Sequence, residues 1–253
     1  MAEFNSTENL NMHLAENLST DVMTGGLDER MFLYFRLSGS MKKADGVDII
    51  VSFLMESGVK MILKDLDQAL QRGAKIRILT GNYLGITQPS ALYLIKRKLG
   101  DQVDLRFYND PKRSFHPKAY MFHYATYSEM YIGSSNVSRS ALTSGIEWNY
   151  RFNSKTDPES YQKFYETFED LFEHHSTVID EAELKRYSKN WHRPAVAKDL
   201  DKYDQENVHD TNVRMIYEPR GAQIEVLCDA CGRCKTRFGT GCNRCGKDLY
   251  CGF

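Results

Sequence analysis

The chain has no stretch of about 20 uninterrupted apolar residues, and its first 25 residues lack a basic start and an apolar signal core. A membrane span and a secretory signal are therefore not expected, and we predict a cytoplasmic protein with no membrane partner. Cysteine is missing from the first 227 residues, because all six cysteines fall between Cys228 and Cys251. Most of the chain must therefore fold without disulfides or thiolate ligands.

Net charge is also nearly absent, since 33 basic residues face 34 acidic ones and leave a formal charge of -1. This balance neither favours nor excludes a polyanionic partner, because a local basic surface is what binds one. Residues 92–151 contain nine basic and five acidic residues, whereas residues 156–218 contain eight basic and fifteen acidic ones. An anion-binding surface is therefore expected in the first of these segments.

The composition that remains is that of a globular protein, with 42% apolar, 12% aromatic and 26% charged residues. A length of 253 residues predicts one full domain with a smaller attachment. We place a polar, helical extension at residues 1–30, the main domain at 31–192, a linker segment at 193–227 and a cysteine-rich tail at 228–253. Within the linker segment, residues 198–210 are the most highly charged.

The first half of the main domain alternates strands and helices. The predicted elements are strands at 48–54, 75–80 and 103–107, with helices between them that end near Gly73 and Gly100, the second beginning at Pro89. This order predicts parallel strands in an α/β layer. The glycines of TGNYLG do not match the dinucleotide-binding pattern, and no Walker sequence is present in the chain as written.

The second half continues the sheet and then becomes helical. We predict strands at 119–122, 130–132 and 146–152, a helical turn at 138–142, and helices at about 158–175 and 180–190. One face of the helix at 158–175 is strongly aromatic and should pack on the sheet; it consists of Tyr161, Phe164, Tyr165, Phe168, Leu171 and Phe172.

Residues able to hold and attack a phosphate are concentrated between residues 114 and 152. His116 and Lys118 are two apart on a predicted strand, so their side chains point to the same face. Gly133 ends the next strand, and Ser134 and Asn136 again share a face. An imidazole, an ammonium group, a hydroxyl and an amide at neighbouring strand ends supply a nucleophile and donors for phosphate oxygens.

His116-x-Lys118 followed by Gly133-Ser134-x-Asn136 resembles the HKD motif of the phospholipase D superfamily. The surrounding FHPKAY and YIGSSNVSRSALTSGIEWNYR are similar to its nuclease-like branch, which includes metal-independent restriction endonucleases and domains at the N-terminus of superfamily 2 DEAD/DEAH-box helicases. The resemblance covers roughly residues 48–191. It implies an α/β fold, a phospholipase D-like mixed β-sheet flanked by helices, with one HKD motif per chain, so that residues 31–192 form a nuclease-like domain.

One position departs from the pattern, because the Asp expected five residues after the Lys is His123. The endonuclease branch uses a Glu downstream of the Asn for a comparable role, and Glu147 occupies that position. We therefore assign a structural role to His123. The resemblance implies hydrolysis in two steps through a phosphohistidine on His116, with no metal or other cofactor required. Lys118 and Asn136 would hold the phosphate oxygens, Ser134 would support them, and Glu147 would orient the imidazole.

The implied chemistry needs two histidines, yet the chain has no second His-x-Lys. The expected solution is a symmetric homodimer with one shared active site. The branch suggests DNA as the substrate, with flanking phosphates bound by Lys112, Arg113, Arg139 and Arg151, and by Lys96, Arg97 and Lys98. Tyr83, Tyr108 and Trp148 are candidates for base stacking, although core packing is the preferred interpretation of Trp148. The alternatives are a noncatalytic DNA-binding module and a lipid phosphodiesterase.

The cysteine tail permits two interpretations. Cys228-x2-Cys231 and Cys242-x2-Cys245 have the spacing of a short zinc ribbon. Alternatively, EPRGAQ at 218–223 resembles the opening of a helicase motor, and GCNRCGKDLYCGF can be back-translated so that the next reading frame gives AATGVGKTYIA, a P-loop. The tail would then be an out-of-frame, truncated helicase start, which we prefer because it explains both the sudden cysteines and the abrupt end. A helicase is accordingly an expected partner or origin.

Overall fold

The computed structural model describes residues 21–25, 32–82, 85–110 and 112–194. The chain divides into units 1–206 and 207–253, and all described residues belong to the first. The strands are β1 (Val22–Met23), β2 (Gly46–Val51), β3 (Lys75–Thr80), β4 (Val103–Tyr108), β5 (Lys118–His123), β6 (Ser128–Gly133), β7 (Asn149–Asn153) and β8 (Ser176–Val178). The helices are α1 (Leu33–Met41), α2 (Glu56–Gln71), α3 (Pro89–Leu99), α4 (Arg139–Leu142), α5 (Pro158–His174) and α6 (Glu181–Asn190).

The eight strands form one mixed sheet in the order β1-β7-β6-β5-β2-β3-β4-β8. Strands β2, β3 and β4 are parallel, as their alternation with helices predicts, and every other pairing is antiparallel. The carboxyl ends of β2, β3, β4 and β6 therefore meet the amino ends of β5 and β7. We call this edge of the sheet the site edge. The predicted mixed α/β fold is confirmed.

The alternation of side chains along β2 separates two packed layers. Ile50 packs with Phe168 and Phe172 of α5 in one hydrophobic cluster. Val47 and Ile49 point to the opposite face, which is fully buried beneath the crossover helices α2 and α3. All six residues of β2 are buried, because helices cover both of its faces.

The described elements differ from the sequence-based expectation mainly at the margins of the sheet. The edge strands β1 and β8 were not predicted, because a strand of two or three residues shows no usable periodicity. Helix α1 was not predicted either, because it follows a polar segment. Strand β1 pairs with β7, so two residues of the expected extension 1–30 belong to the sheet. Strand β7 begins at Asn149 rather than at Ile146. Within the described ranges, no helix combines the length and apolar character needed to cross a bilayer.

Candidate active site

His116 and Lys118 lie where the chain enters β5 at the site edge. The preceding Phe115 anchors this entry, since it is 7% exposed and stacks on Tyr108 with ring centroids 4.5 Å apart. A Cβ at Gly81 would lie 2.7 Å from the Phe115 ring, so the glycine leaves the room that this anchor needs. His116 is therefore held at an exposed position directly beside a buried aromatic side chain.

The ammonium group of Lys118 is turned back onto His116. Lys118 Nζ lies 2.6 Å from His116 Nδ1 and donates to the His116 carbonyl oxygen at 2.9 Å. Burial lowers the pKa of Lys118 to about 8, although the negative charge of Glu147 opposes that shift. Burial and the charge of Lys118 together lower the pKa of His116 below its usual value. At neutral pH the site thus combines a neutral imidazole with a charged ammonium group, as a nitrogen nucleophile and an oxyanion-binding group require.

Ser134 and Glu147 meet on the neighbouring strand ends. The Ser134 hydroxyl donates to Glu147 Oε2 and also accepts from the Trp148 backbone N–H at 3.0 Å. The Ser134 N–H donates to the Trp148 carbonyl at 3.0 Å, so two backbone contacts hold the segments together. A Cβ at Gly133 would lie 2.1 Å from the Trp148 carbonyl oxygen. Glycine at 133 is therefore required for Glu147 to reach Ser134.

Asn136 is buried, with 6% of its surface exposed, and its Oδ1 accepts from the Phe53 N–H at 3.2 Å. The segment that carries it runs beside the end of β2, where Leu54 and Val137 form a parallel bridge. A Cβ at Gly58 would lie 2.4 Å from Val137, so the first turn of α2 supports this segment closely. The amide is thus fixed in place at the site edge.

Two polar residues that sequence reasoning did not single out support this arrangement. Asn149 Nδ2 donates to Ser135 Oγ at 2.9 Å, and the buried Tyr120 hydroxyl donates to the Ser135 carbonyl at 3.0 Å. Both side chains lie behind the segment that carries Ser134 and Asn136. The alternation of β5 places Tyr120 on the same face as Lys118, which is the one signal in the sequence that could have identified it.

The structure therefore gathers all five predicted site residues at one edge. His116 and Lys118 are in direct contact, as are Ser134 and Glu147, and the charge of Glu147 acts on Lys118. Asn136 lies at the adjoining strand end.

His123 lies on the face that packs against α5, because it is five residues after Lys118 on the same strand. Its Nε2 lies 2.7 Å from Asp48 Oδ2, and its Nδ1 lies 3.1 Å from Ser128 Oγ. Asp48 also accepts two hydrogen bonds of 2.7 Å from Arg77. These contacts join β5, β2 and β3 and are those of a structural residue.

The predicted phosphate-binding residues divide into two groups. Lys112 and Arg113 are exposed in the loop that leads to His116, and Arg139 begins α4 just after Asn136. Arg151 instead forms an ion pair of 2.8 Å with Asp21, so much of its charge is compensated.

The basic cluster at 96–98 does not flank the site as the sequence reasoning placed it. It lies in the last turn of α3, which leads to the amino end of β4 and hence to the opposite edge of the sheet. Lys96 there pairs with Asp101 at 2.9 Å.

The three aromatic candidates for base stacking differ in their surroundings. Trp148 is 71% exposed, so the expectation that it packs in the core is wrong. It immediately precedes β7, at the end of the loop that follows α4. Tyr108 stacks on Phe115, and Tyr83 lies outside the described residues.

Within the part of the chain that the structure describes, no group of three or more His, Cys, Asp or Glu side chains is arranged to hold a metal ion. Cys228, Cys231, Cys242 and Cys245 lie outside that part. The zinc ribbon and the out-of-frame helicase segment both remain predictions, as do the boundaries at residues 193–227 and 228–253.

A mixed sheet that presents His-x-Lys, Gly-Ser-x-Asn and a Glu on one edge defines a domain built to act on phosphodiesters. Residues 39–175 match the family described as "Cardiolipin synthase, PLD-like domain". The chain therefore belongs to the phospholipase D superfamily, which supports a phosphodiester-acting enzyme. A comparison with curated proteins found no match.

Solved structures with a similar fold include Nuc, a phospholipase D family member from Salmonella typhimurium, at 17% identity, a TM-score of 0.46, and coverage of 58% of this chain and 90% of Nuc. NucT from Helicobacter pylori is 15% identical with a TM-score of 0.44, covering 57% of this chain and 89% of NucT. Phosphatidylserine synthase of Haemophilus influenzae is also 15% identical with a TM-score of 0.44, covering 71% of this chain and 43% of the synthase. Identities this low do not transfer a substrate to this chain.

Proposed function

We propose that this protein is a metal-independent endonuclease that hydrolyses DNA through a phosphohistidine intermediate. The observation that carries the proposal is the contact of 2.6 Å between the exposed His116 imidazole and the Lys118 ammonium group. A neutral, accessible imidazole beside a cation is suited to attack on a negatively charged phosphodiester, because the cation offsets the charge that opposes the approach.

In the first step, a ring nitrogen of His116 attacks phosphorus and the bond to one bridging oxygen breaks. His116 of a second copy donates the proton that the departing oxygen needs. In the second step that same residue removes a proton from water, the water oxygen attacks phosphorus, and the phosphorus–nitrogen bond breaks. Lys118 and Asn136 hold the nonbridging oxygens throughout.

The requirement for a second histidine makes a symmetric homodimer part of the proposal. The 253 residues contain one His-x-Lys, so in this proposal a second copy of the chain supplies the proton-transfer group. The exposure of His116 at the site edge is compatible with two edges facing each other.

DNA is preferred to lipid because the loop that leads to His116 is basic. Lys112 and Arg113 are both exposed there, and Arg139 follows Asn136 at the same edge. Such cations bind phosphates that flank the one being cleaved. Coupling to a helicase in DNA restriction, defence or processing remains an expectation from the motif resemblance.

The proposal is tested by incubating purified protein with supercoiled plasmid and with single-stranded DNA in excess EDTA. Nicking or shortening is expected for the parent and should be abolished in His116→Ala. The matched control is His174→Ala, which removes an exposed histidine that pairs with Asp170 on α5, and this variant should cleave like the parent. DNA that is bound but left intact by the parent would support a noncatalytic module instead. Release of headgroups from phospholipid vesicles without DNA cleavage would support the lipid alternative.

A further inference from the structure

The loop between α4 and β7 exposes two large apolar side chains beside the candidate active site. Ile146 is 87% exposed and Trp148 is 71% exposed, the two highest values among the large apolar side chains that the structure describes. A tryptophan can bury roughly 150–250 Å² of surface, so leaving one in water forgoes a substantial stabilisation. An exposed aromatic residue next to a site is therefore a candidate contact for a ligand.

The backbone beneath these side chains is fixed. Gly145 N–H donates to the Ser140 carbonyl at 2.8 Å, and Trp148 is tied to Ser134 through both its N–H and its carbonyl, each at 3.0 Å. A Cβ at Gly25 would lie 2.5 Å from the Gly145 carbonyl oxygen, so the end of β1 packs directly against the loop. The indole is thus presented from a rigid platform.

The residues on either side of Trp148 face the protein. Glu147 is hydrogen-bonded to Ser134, and Asn149 is 6% exposed and bonded to Ser135. Of these three consecutive residues, Trp148 is the most exposed. Trp148 immediately precedes β7, and β6 alone lies between β7 and β5, which begins at Lys118, so Trp148 lies at the same edge of the sheet as the groups that would hold the phosphate.

We propose that Trp148 stacks on an unpaired base of the substrate, which makes single-stranded or locally melted DNA the preferred substrate of this site. This inference rests on the proposed function. Every base has a π-face that an aromatic side chain can cover, whereas a base inside a duplex is already covered on both faces by its neighbours. A rigid, exposed indole therefore selects bases that lie outside a duplex.

A second copy of the chain is the competing occupant of this surface. The proposed homodimer brings two site edges together, and an interface that buries about 800 Å² on each partner has room to include Ile146 and Trp148. The test therefore measures the oligomeric state alongside DNA binding.

The chain contains two tryptophans, which allows a matched pair of fluorescent reporters. Trp191 lies against the loop that follows β3, with its indole N–H donating to the Gly85 carbonyl at 2.7 Å, and so reports on a different part of the site edge from Trp148. In a His116→Ala background that blocks turnover, Trp191→Phe leaves only Trp148 to report, and Trp148→Phe leaves only Trp191. Each is titrated with labelled oligo(dT), a duplex of equal length and an abasic oligomer, and label anisotropy measures binding independently.

Oligo(dT) should quench Trp148 more strongly than Trp191, while the abasic oligomer binds without quenching Trp148. Trp148→Ala should weaken single-strand binding by on the order of 5- to 150-fold and change duplex binding little. DNA that binds without quenching Trp148, or an equal loss for both forms of DNA, would overturn the stacking role and leave the nuclease proposal standing.

Light scattering completes the test. If Trp148→Ala turns a dimer into a monomer, the residue belongs to the subunit interface and the inference is wrong. If the parent neither binds nor cleaves any DNA, the proposed function fails and the inference fails with it.

Discussion

The lowered pKa of Lys118 predicts a loss of activity in mildly alkaline solution. The ammonium form is the one that stabilises phosphate oxygens, and burial lowers its pKa to about 8. With that value, roughly 90% of Lys118 is charged at pH 7 and roughly 10% at pH 9. An ordinary lysine, with a pKa near 10.4, would remain more than about 95% charged at pH 9. The loss of the Lys118 charge alone should therefore lower activity by close to tenfold between these two pH values, and deprotonation of the proton-donating His116 of the second copy adds to this decrease.

On the acidic side the sign is opposite, because the attacking His116 must be neutral. Its lowered pKa keeps the imidazole neutral to a lower pH than an ordinary histidine. The attacking copy should therefore remain active to a lower pH than an ordinary histidine with a pKa of about 6.5. The copy of His116 that protonates the departing oxygen must be charged, so the activity optimum should lie on the acidic side of pH 7. The measurement is initial nicking rate of supercoiled plasmid against pH at constant ionic strength.

Lys118→Arg identifies the group responsible for the alkaline loss. A guanidinium group stays charged throughout this range, so the alkaline decrease in activity should be smaller in this variant than in the parent by the part that comes from Lys118, even where its overall rate is reduced. Glu147→Gln removes the charge that raises the Lys118 pKa, so the alkaline decrease in activity should begin at a lower pH. Parent activity that stays constant to pH 10, or an unchanged alkaline decrease in Lys118→Arg, would refute the assignment.

Three further changes test how the site is held. Gly133→Ala places a Cβ 2.1 Å from the Trp148 carbonyl oxygen and should reduce the free energy of unfolding by about 1–3 kcal/mol while lowering the cleavage rate, as measured by urea denaturation and plasmid nicking. Asp48→Asn removes a buried carboxylate from Arg77, which keeps its ion pair of 2.7 Å with Glu169, and should destabilise the fold by about 1–3 kcal/mol at neutral pH. Because the pKa of Asp48 is lowered, the parent should keep the stabilisation from this carboxylate above pH 4 and lose it as the pH falls through the folded-state pKa. An equal denaturation midpoint for the parent and Asp48→Asn at pH 7 would contradict the argument. Phe115→Ala should cost about 3–5 kcal/mol and also impair cleavage because the anchor beside His116 is lost; unchanged cleavage by the folded variant would show that this anchor does not position the imidazole.

The parts of the fold that sequence reasoning predicted are those with a repeated local signal. Strands β2, β3 and β4 and helices α2, α3 and α5 have long apolar periods bounded by glycine or proline, so local pattern and tertiary packing agree. Strand β1 is two residues long, and β8 is three, and their pairing depends on strands more than 60 residues away. No local pattern encodes such a contact.

The candidate site was predictable where its residues alternate along one strand, as His116 and Lys118 do. The exposure of Trp148 was not, because it depends on where β7 begins. Ile146 to Trp148 look like strand residues in the sequence, yet the hydrogen bonds between Ser134 and Trp148 hold them as a loop over the site edge. An aromatic residue in an apolar run is usually buried, and tertiary contacts overruled that expectation here.

The HKD pattern expects an aspartate at position 123, and this position faces the side of the sheet opposite to Lys118. Five residues after Lys118, the side chain of His123 lies on the opposite face of β5, so its contacts are with β2 and α5 rather than with the site. Asp48 provides a carboxylate on that same face, 2.7 Å from His123 and tied to Arg77. A hydrogen-bonded network therefore joins β5 to β2, with the acid on the neighbouring strand. Because that network fixes the strand that carries His116 and Lys118 without touching either of them, the substitution at 123 changes how the sheet is stabilised and leaves the groups at the site edge intact.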